Sequence, residues 1–199
     1  MQSSPQTINP VLIDQFIKEL RSISEDNFKI GTIFNFLLEH PVKIDSLKPY
    51  LFFSKKFYTR NLIFKNDLFE VMTLCWEVGQ ESRIHNHSGQ NCWMTIPMGK
   101  LMIRDFKTLE DRSSENYCRI EPTTAYIINN QFPVAEVDLG EPIHQVCNLE
   151  KFNERAVSLH IYSKPYDKCL VYNPQKNHVQ EVNLFYSSID GKLCDGIKL

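Results

Sequence analysis

The sequence predicts an all-β barrel or sandwich with a small α-helical segment at its N-terminus. Apolar residues recur at three- and four-residue spacings up to about residue 53, then at every second position in short β-branched and aromatic runs. Those runs are many, short and evenly spaced, the pattern of a closed or double-layered β architecture. Glycines stand where runs reverse, as in Val78-Gly79-Gln80 and Met98-Gly99-Lys100.

In chain order, residues 10–23 set Val11, Leu12, Phe16, Ile17, Leu20 and Ile23 along one helical face. Ser24, Glu25 and Asp26 can start a second helix carrying Ile30, Ile33, Phe34, Phe36, Leu37 and Leu38. The two helices are expected to pack together, and residues 47–53 to add a short helical turn. Strands are expected at 61–65, 68–77, 82–87, 92–98, 100–106, 116–121, 125–129, 141–148, 156–162, 168–172 and 179–184. With 199 residues and 42% hydrophobic composition, the chain suits one structural domain, its helical segment spanning 1–53 and its β-barrel 54–199.

The 22 basic and 24 acidic side chains give a net charge of −2, which supplies no attraction to a polyphosphate or an anionic bilayer. Neither nucleic acid nor membrane is an expected partner. Residues 1–5 lack a basic segment leading into an apolar run, and 18 consecutive apolar residues occur nowhere, so a soluble, cytoplasmic monomer is expected. Cys75, Cys92, Cys118, Cys147, Cys169 and Cys194 contain no C-x-x-C pair, which predicts free thiols rather than a disulfide framework or zinc ribbon.

Three of the six histidines stand where metal chemistry would want them. His85 and His87 are two apart in an expected strand, so their imidazoles leave the same face, and His144 lies in a distant strand. Three neutral imidazoles leave a divalent ion with open positions, the requirement for catalytic rather than structural binding. By itself the H-x-H pair reads equally well as a polar strand face or a hydrogen-bonded core pair.

The surrounding spacing is more specific. Gly79, five residues, His85-Asn86-His87, four residues, Cys92, six residues and Gly99 resemble the first motif of the cupin family, which has glutamate at the place of Cys92. His144 and Asn148 resemble the end of the second cupin motif, without the proline and glycine that usually precede that histidine. The likeness runs over about residues 58–172 and implies a cupin barrel, a double-stranded β-helix or jelly roll with a metal inside. Three imidazoles without a carboxylate leave the ion's charge to be neutralised by an anionic ligand such as a thiolate. Within the cupins, this set together with Tyr58-Thr59-Arg60-Asn61, Leu74-Cys75-Trp76 and Ser158-Leu159-His160-Ile161-Tyr162 resembles the cysteine dioxygenase family.

That resemblance implies one Fe(II) per chain on His85, His87 and His144, with L-cysteine and O2 as small-molecule substrates and cysteine sulfinic acid as product. It implies that Arg60 binds the substrate carboxylate with Tyr58 beside it, that Tyr162 points to the substrate, that His160 holds Tyr162, and that Ser158 holds His160. In animal-type members the cysteine matching Cys92 forms a thioether with the tyrosine matching Tyr162. Trp76, Cys75, Trp93 and Met94 are expected to shape and dry the barrel wall, Cys169 to pack, and His40 and His178 to carry no signal. Ser163-Lys164-Pro165 lacks the first proline of the family's Ser-Pro-Pro, whose cis bond is therefore not carried over. The plain readings stand beside these: Arg60 as a solvated strand-end arginine, Cys92 as a small buried hydrophobe, the Ser158 row as a solvent face. Dioxygenation of 3-mercaptopropionate or cysteamine, and metal binding without turnover, are the alternative functions.

Overall fold

The computed structural model describes residues 9–131, 133–137, 143–197 and 199. The expectation for residues 1–5, and the first two residues of the strand expected at 141–148, lie outside them.

Helix α1 (Ile13–Leu20) buries Ile13, Phe16 and Leu20, the i, i+3 and i+7 positions of one face. It is shorter than residues 10–23 because Leu12 is extended and Val11 bridges Val42 in a parallel β contact. Helix α2 (Ile30–Glu39) starts six residues after Ser24, and a separate 3-10 turn, Glu25–Asn27, fills the gap. Phe28 explains the break: its ring stacks on Phe69 at 5.1 Å and meets the edge of Trp93 at 5.9 Å, a burial that a continuous helix would forgo. The helical turn expected at 47–53 is a 3-10 helix at Ile44–Tyr50.

The strands are β1 (Thr59–Lys65), β2 (Phe69–Trp76), β3 (Ile84–His85), β4 (Cys92–Met98), β5 (Leu101–Arg112), β6 (Tyr117–Ile128), β7 (Val134–Val137), β8 (Ile143–Cys147), β9 (Ala156–Ser163), β10 (Lys168–Asn173), β11 (His178–Asn183), β12 (Ser188–Ile189) and β13 (Lys192–Leu193). One sheet runs β13-β12-β1-β2-β9-β4-β7; the other strands close on themselves as β10-β11-β6-β5-β8-β3. This is the jelly-roll arrangement the strand count predicts. The two strands expected at 116–121 and 125–129 are one, β6, because Pro122 sits opposite Phe106 beside a bulge on an otherwise unpaired edge, where proline is tolerated. The strand expected at 82–87 shrinks to two residues as the chain turns through Ser88 and Gly89, both at positive φ. Strands β7, β12 and β13 went unseen in the sequence.

By strand alternation the first sheet feeds a separate core on each of its faces. Phe69, Val71, Trp93, Leu159 and Ile161 leave the first sheet on one side and pack with Phe16, Leu20, Ile33 and Leu37 of the helices. Met72, Leu74, Trp76, Cys92, Met94 and Tyr162 leave it on the other, against Leu101, Ile103, Ile128 and Val146 of the second. Trp93 and Cys75 therefore do not line the barrel interior as expected. Trp93 donates its indole N–H to the Ile30 carbonyl at 3.2 Å, and Cys75 lies 3.5 Å from the Asn61 amide on the opposite face. Gly99 is required by its place: at φ +75° a Cβ would stand 2.5 Å from the Arg155 carbonyl oxygen.

Candidate metal centre and substrate pocket

The two-residue spacing of His85 and His87 and the register of His85 with His144 bring the three histidines together. His85 on β3 pairs directly with His144 on β8, and His87, two residues on and just before the turn at Ser88 and Gly89, joins them. The ring centroids are 5.2 Å apart for His85 and His87, 4.7 Å for His85 and His144, and 4.8 Å for His87 and His144. One ligand atom from each lies within 4.8 Å of the others. Burial pushes His85 down to about 4 and His87 and His144 well below the usual imidazole value, so all three are neutral and offer lone pairs.

The donors fit a divalent transition metal. Both ring nitrogens of His87 and Nδ1 of His144 are buried without a partner, an expensive state that coordination would relieve. His85 Nδ1 lies 2.8 Å from the Arg83 carbonyl, which fixes the proton there and leaves Nε2 free to ligate.

On the interior face of β9 a buried polar row approaches this cluster. Trp76 Nε1 donates to Ser158 Oγ at 3.0 Å, Ser158 Oγ meets His160 Nε2 at 2.8 Å, and His160 Nδ1 meets the Tyr162 hydroxyl at 3.1 Å. The Tyr162 ring sits 5.4 Å from that of His87. Burial drives His160 down to about 3, so it too is neutral, and pushes the Tyr162 phenol well above its usual range. Proton counting fixes the direction. Trp76 can only donate to Ser158, the acceptor within reach of the Ser158 hydroxyl among the described residues is His160 Nε2, and the imidazole proton then sits on Nδ1. His160 thus donates to Tyr162, whose own hydroxyl proton is free to point into the pocket.

Cys92 is opposite Tyr162 in the β4–β9 ladder, and its sulfur lies 3.8 Å from His160 Nδ1. Burial pushes its thiol up, so it stays protonated and does not compete for the ion as a thiolate. Beside His85 opens a cavity of about 560 Å³, lined by Tyr58, Arg60, His85, Cys169, Val171 and Leu184 among others. Tyr58 stacks on Trp76 at 4.4 Å. Arg60 Nε is buried without a partner, while its backbone is held on both sides by Ser187, whose Oγ accepts from Arg60 N at 3.2 Å and whose N–H donates to Arg60 O at 2.7 Å. A larger depression of about 860 Å³ near Ser82, Ile84 and Pro174 holds none of the three ligands. Cys169 borders the cavity rather than merely packing.

His40 lies elsewhere, stacked on Phe36 and 3.0 Å from Glu19, and His178 opens β11. Among the described residues there is no cis peptide bond. Asn148 closes the second motif as a clamp, its amide reaching the carbonyls of Glu77 at 3.1 Å and Glu154 at 2.9 Å.

Three residues at the site were missed. Tyr166 meets the Tyr162 ring at 5.2 Å and that of His87 at 6.1 Å. Glu70, opposite Tyr162 across the β2–β9 ladder, is fully buried, and Tyr186 donates to it. A lone acid in the apolar run 68–76 was a readable signal; Tyr166 and Tyr186 gave none.

The profile of the family described as cysteine dioxygenase type I matches residues 3–175. Rat cysteine dioxygenase type 1 is 33% identical over 140 residues, covering 70% of this chain and 67% of its own. The human enzyme is 31% identical over the same length, and the zebrafish one 27% identical over 190 residues, 94% of this chain and 92% of its own. Among solved structures, a Klebsiella pneumoniae protein with a double-stranded β-helix domain is 15% identical at a TM-score of 0.43, covering 60% of this chain and 87% of its own. A Schizosaccharomyces pombe cupin domain is 13% identical at 0.42, covering 59% and 66%. No described helix is long and apolar enough to cross a membrane. The fold is a double-sheet β-barrel, His85, His87 and His144 form a cluster that could hold a metal ion, and the chain belongs to the cysteine dioxygenase type I family.

Proposed function

We propose that this enzyme adds both atoms of O2 to the sulfur of L-cysteine, giving cysteine sulfinic acid, with one Fe(II) held by His85, His87 and His144. The observation that carries the reading is that His85, one of three clustered neutral imidazoles, borders the same cavity as Arg60, whose Nε is buried without a partner. When bound, Fe(II) supplies the redox chemistry that lets dioxygen react with a thiolate.

The chain's residues do the rest. Arg60 pairs with the carboxylate, a task suited to a planar guanidinium, and its Ser187-clamped backbone limits how far it can stray. Tyr58, braced on Trp76, walls the substrate in. Ser158 gives its proton to His160 Nε2, His160 gives its Nδ1 proton to the Tyr162 oxygen, and Tyr162 offers its own proton to the oxygen that develops charge on the substrate side. Cys92 and Tyr162 form a thioether by loss of two hydrogens, with dioxygen as the acceptor. Their direct cross-strand pairing supports this.

Oxygen uptake with product identification, comparing L-cysteine, cysteamine and 3-mercaptopropionate on Fe(II)-loaded protein, tests the reading. Uptake with L-cysteine and recovery of its sulfinic acid is expected; no uptake with any of the three would leave a metal-binding cupin without turnover.

A further inference from the structure

A buried acid lies close enough to Arg60 to feel its charge. Glu70 lies on the interior face of β2, in one cross-sheet row with Tyr162 and Cys92. Its Oε2 accepts from the Tyr186 hydroxyl, and its Oε1 is buried with no partner. Arg60 Cζ stands 5.9 Å over the Tyr186 ring, so the same aromatic is held by the acid at its hydroxyl and faces the guanidinium with its π-surface. Lys65 Nζ reaches the Tyr186 hydroxyl from the exposed side at 3.4 Å. Burial pushes the Glu70 carboxyl up, while the Tyr186 hydroxyl, Arg60 and Lys65 pull it down. No direct ion pair joins Arg60 and Glu70 among the described residues, and each keeps one buried polar atom unpaired. A buried acid satisfied at one oxygen is costly for a purely structural device.

We propose that Glu70 is a specificity-determining residue: fixed by Tyr186, its carboxylate opposes the field of Arg60 and sets how strongly the pocket demands a carboxylate on the small thiol it takes. The inference rests on the reading of Arg60 as the carboxylate-binding residue. An unopposed guanidinium in a low-dielectric pocket would favour anionic thiols strongly; a nearby acid weakens that preference and keeps carboxylate-free aminothiols competitive.

The test is anaerobic calorimetric titration of Fe(II)-loaded wild type, Glu70→Gln, Arg60→Gln and the double variant with L-cysteine and with cysteamine. Glu70→Gln is expected to tighten L-cysteine by about three- to tenfold. Cysteamine is expected to bind unchanged or more weakly, and the tightening to vanish in the Arg60→Gln background. Glu70→Asp, which keeps the charge, should lie closer to wild type than Glu70→Gln. Glu70→Asn serves as a second neutral variant if Glu70→Gln fails to fold. Unchanged or weakened L-cysteine binding in the neutral variants, or equal tightening of both thiols, overturns the role of Glu70. If Arg60→Gln itself leaves L-cysteine binding unchanged, the reading of Arg60 fails and this proposal with it. If Arg60→Gln weakens L-cysteine but the neutral Glu70 variants do not tighten it, only the role of Glu70 fails.

Discussion

Replacing Ser158 by alanine removes one oxygen and unpairs two buried groups at once. Ser158 Oγ is fully buried, accepts from Trp76 Nε1 at 3.0 Å and meets His160 Nε2 at 2.8 Å. Each orphaned group costs about 1–3 kcal/mol when no water can replace the partner. Trp76 is fully buried beneath the Tyr58 ring, and His160 lies between Met72 and Met94 in the sheet, so neither can turn to solvent. The sum is about 2–6 kcal/mol, and partial relaxation brings the expected loss to about 2–4 kcal/mol. Urea unfolding of metal-free protein, followed by tryptophan fluorescence, measures it. The variant should also lose kcat with little change in KM, because His160 no longer has a hydroxyl to set its tautomer and Tyr162 loses a fixed proton donor. A destabilisation under about 1 kcal/mol would refute the reasoning, since it would mean that the row is not the closed network its distances describe.

Three further outcomes are expected. Gly99→Ala should cost at least about 2 kcal/mol by thermal melting, because its Cβ would collide with the Arg155 carbonyl while the backbone holds φ at +75°. Turnover with Fe(II), L-cysteine and O2 should accumulate a species about 2 Da lighter with a reduction-resistant Cys92–Tyr162 linked peptide, the mass lost with two hydrogens; Cys92 left fully alkylatable after many turnovers would contradict it. In metal-free protein the buried imidazoles make stability fall with pH. The unfolded chain takes up protons below about 6.5 that His85, at about 4, and His160, at about 3, refuse when folded, so stability is full above 6.5 and is lost as pH drops toward those values. Each group contributes about 1.4 kcal/mol per pH unit, and between pH 6.5 and 5 the slope of His160→Gln should be shallower by one such increment.

The histidine cluster was legible because residue type and spacing carry it. His85 and His87, two residues apart, do reach one cluster as expected; what joins His144 to them is its pairing with His85, a register that no short window of sequence reveals. The β9 row was legible because alternation alone separates Ser158, His160 and Tyr162 from Leu159 and Ile161. The same rule, applied to β2 and β4, would have sent Cys75 and Trp93 away from the barrel interior and singled out Glu70. The start of α2 was misread because Phe28 is claimed by Phe69 and Trp93, which are remote in sequence. The grip of Ser187 on Arg60 was hidden for a similar reason, since Ser187 lies just before strand β12, which is two residues long and carries no pattern of its own.

The most direct test of the central claim is anaerobic reconstitution with Fe(II), followed by metal counting and oxygen uptake on the same sample. The account predicts about one iron per chain, lost in His85→Ala, His87→Ala and His144→Ala, and one O2 consumed per L-cysteine converted to sulfinic acid, the facial ligand set being needed for both. Full iron and full turnover in any one of those variants, or oxygen consumption that yields cystine in place of the sulfinic acid, would contradict it.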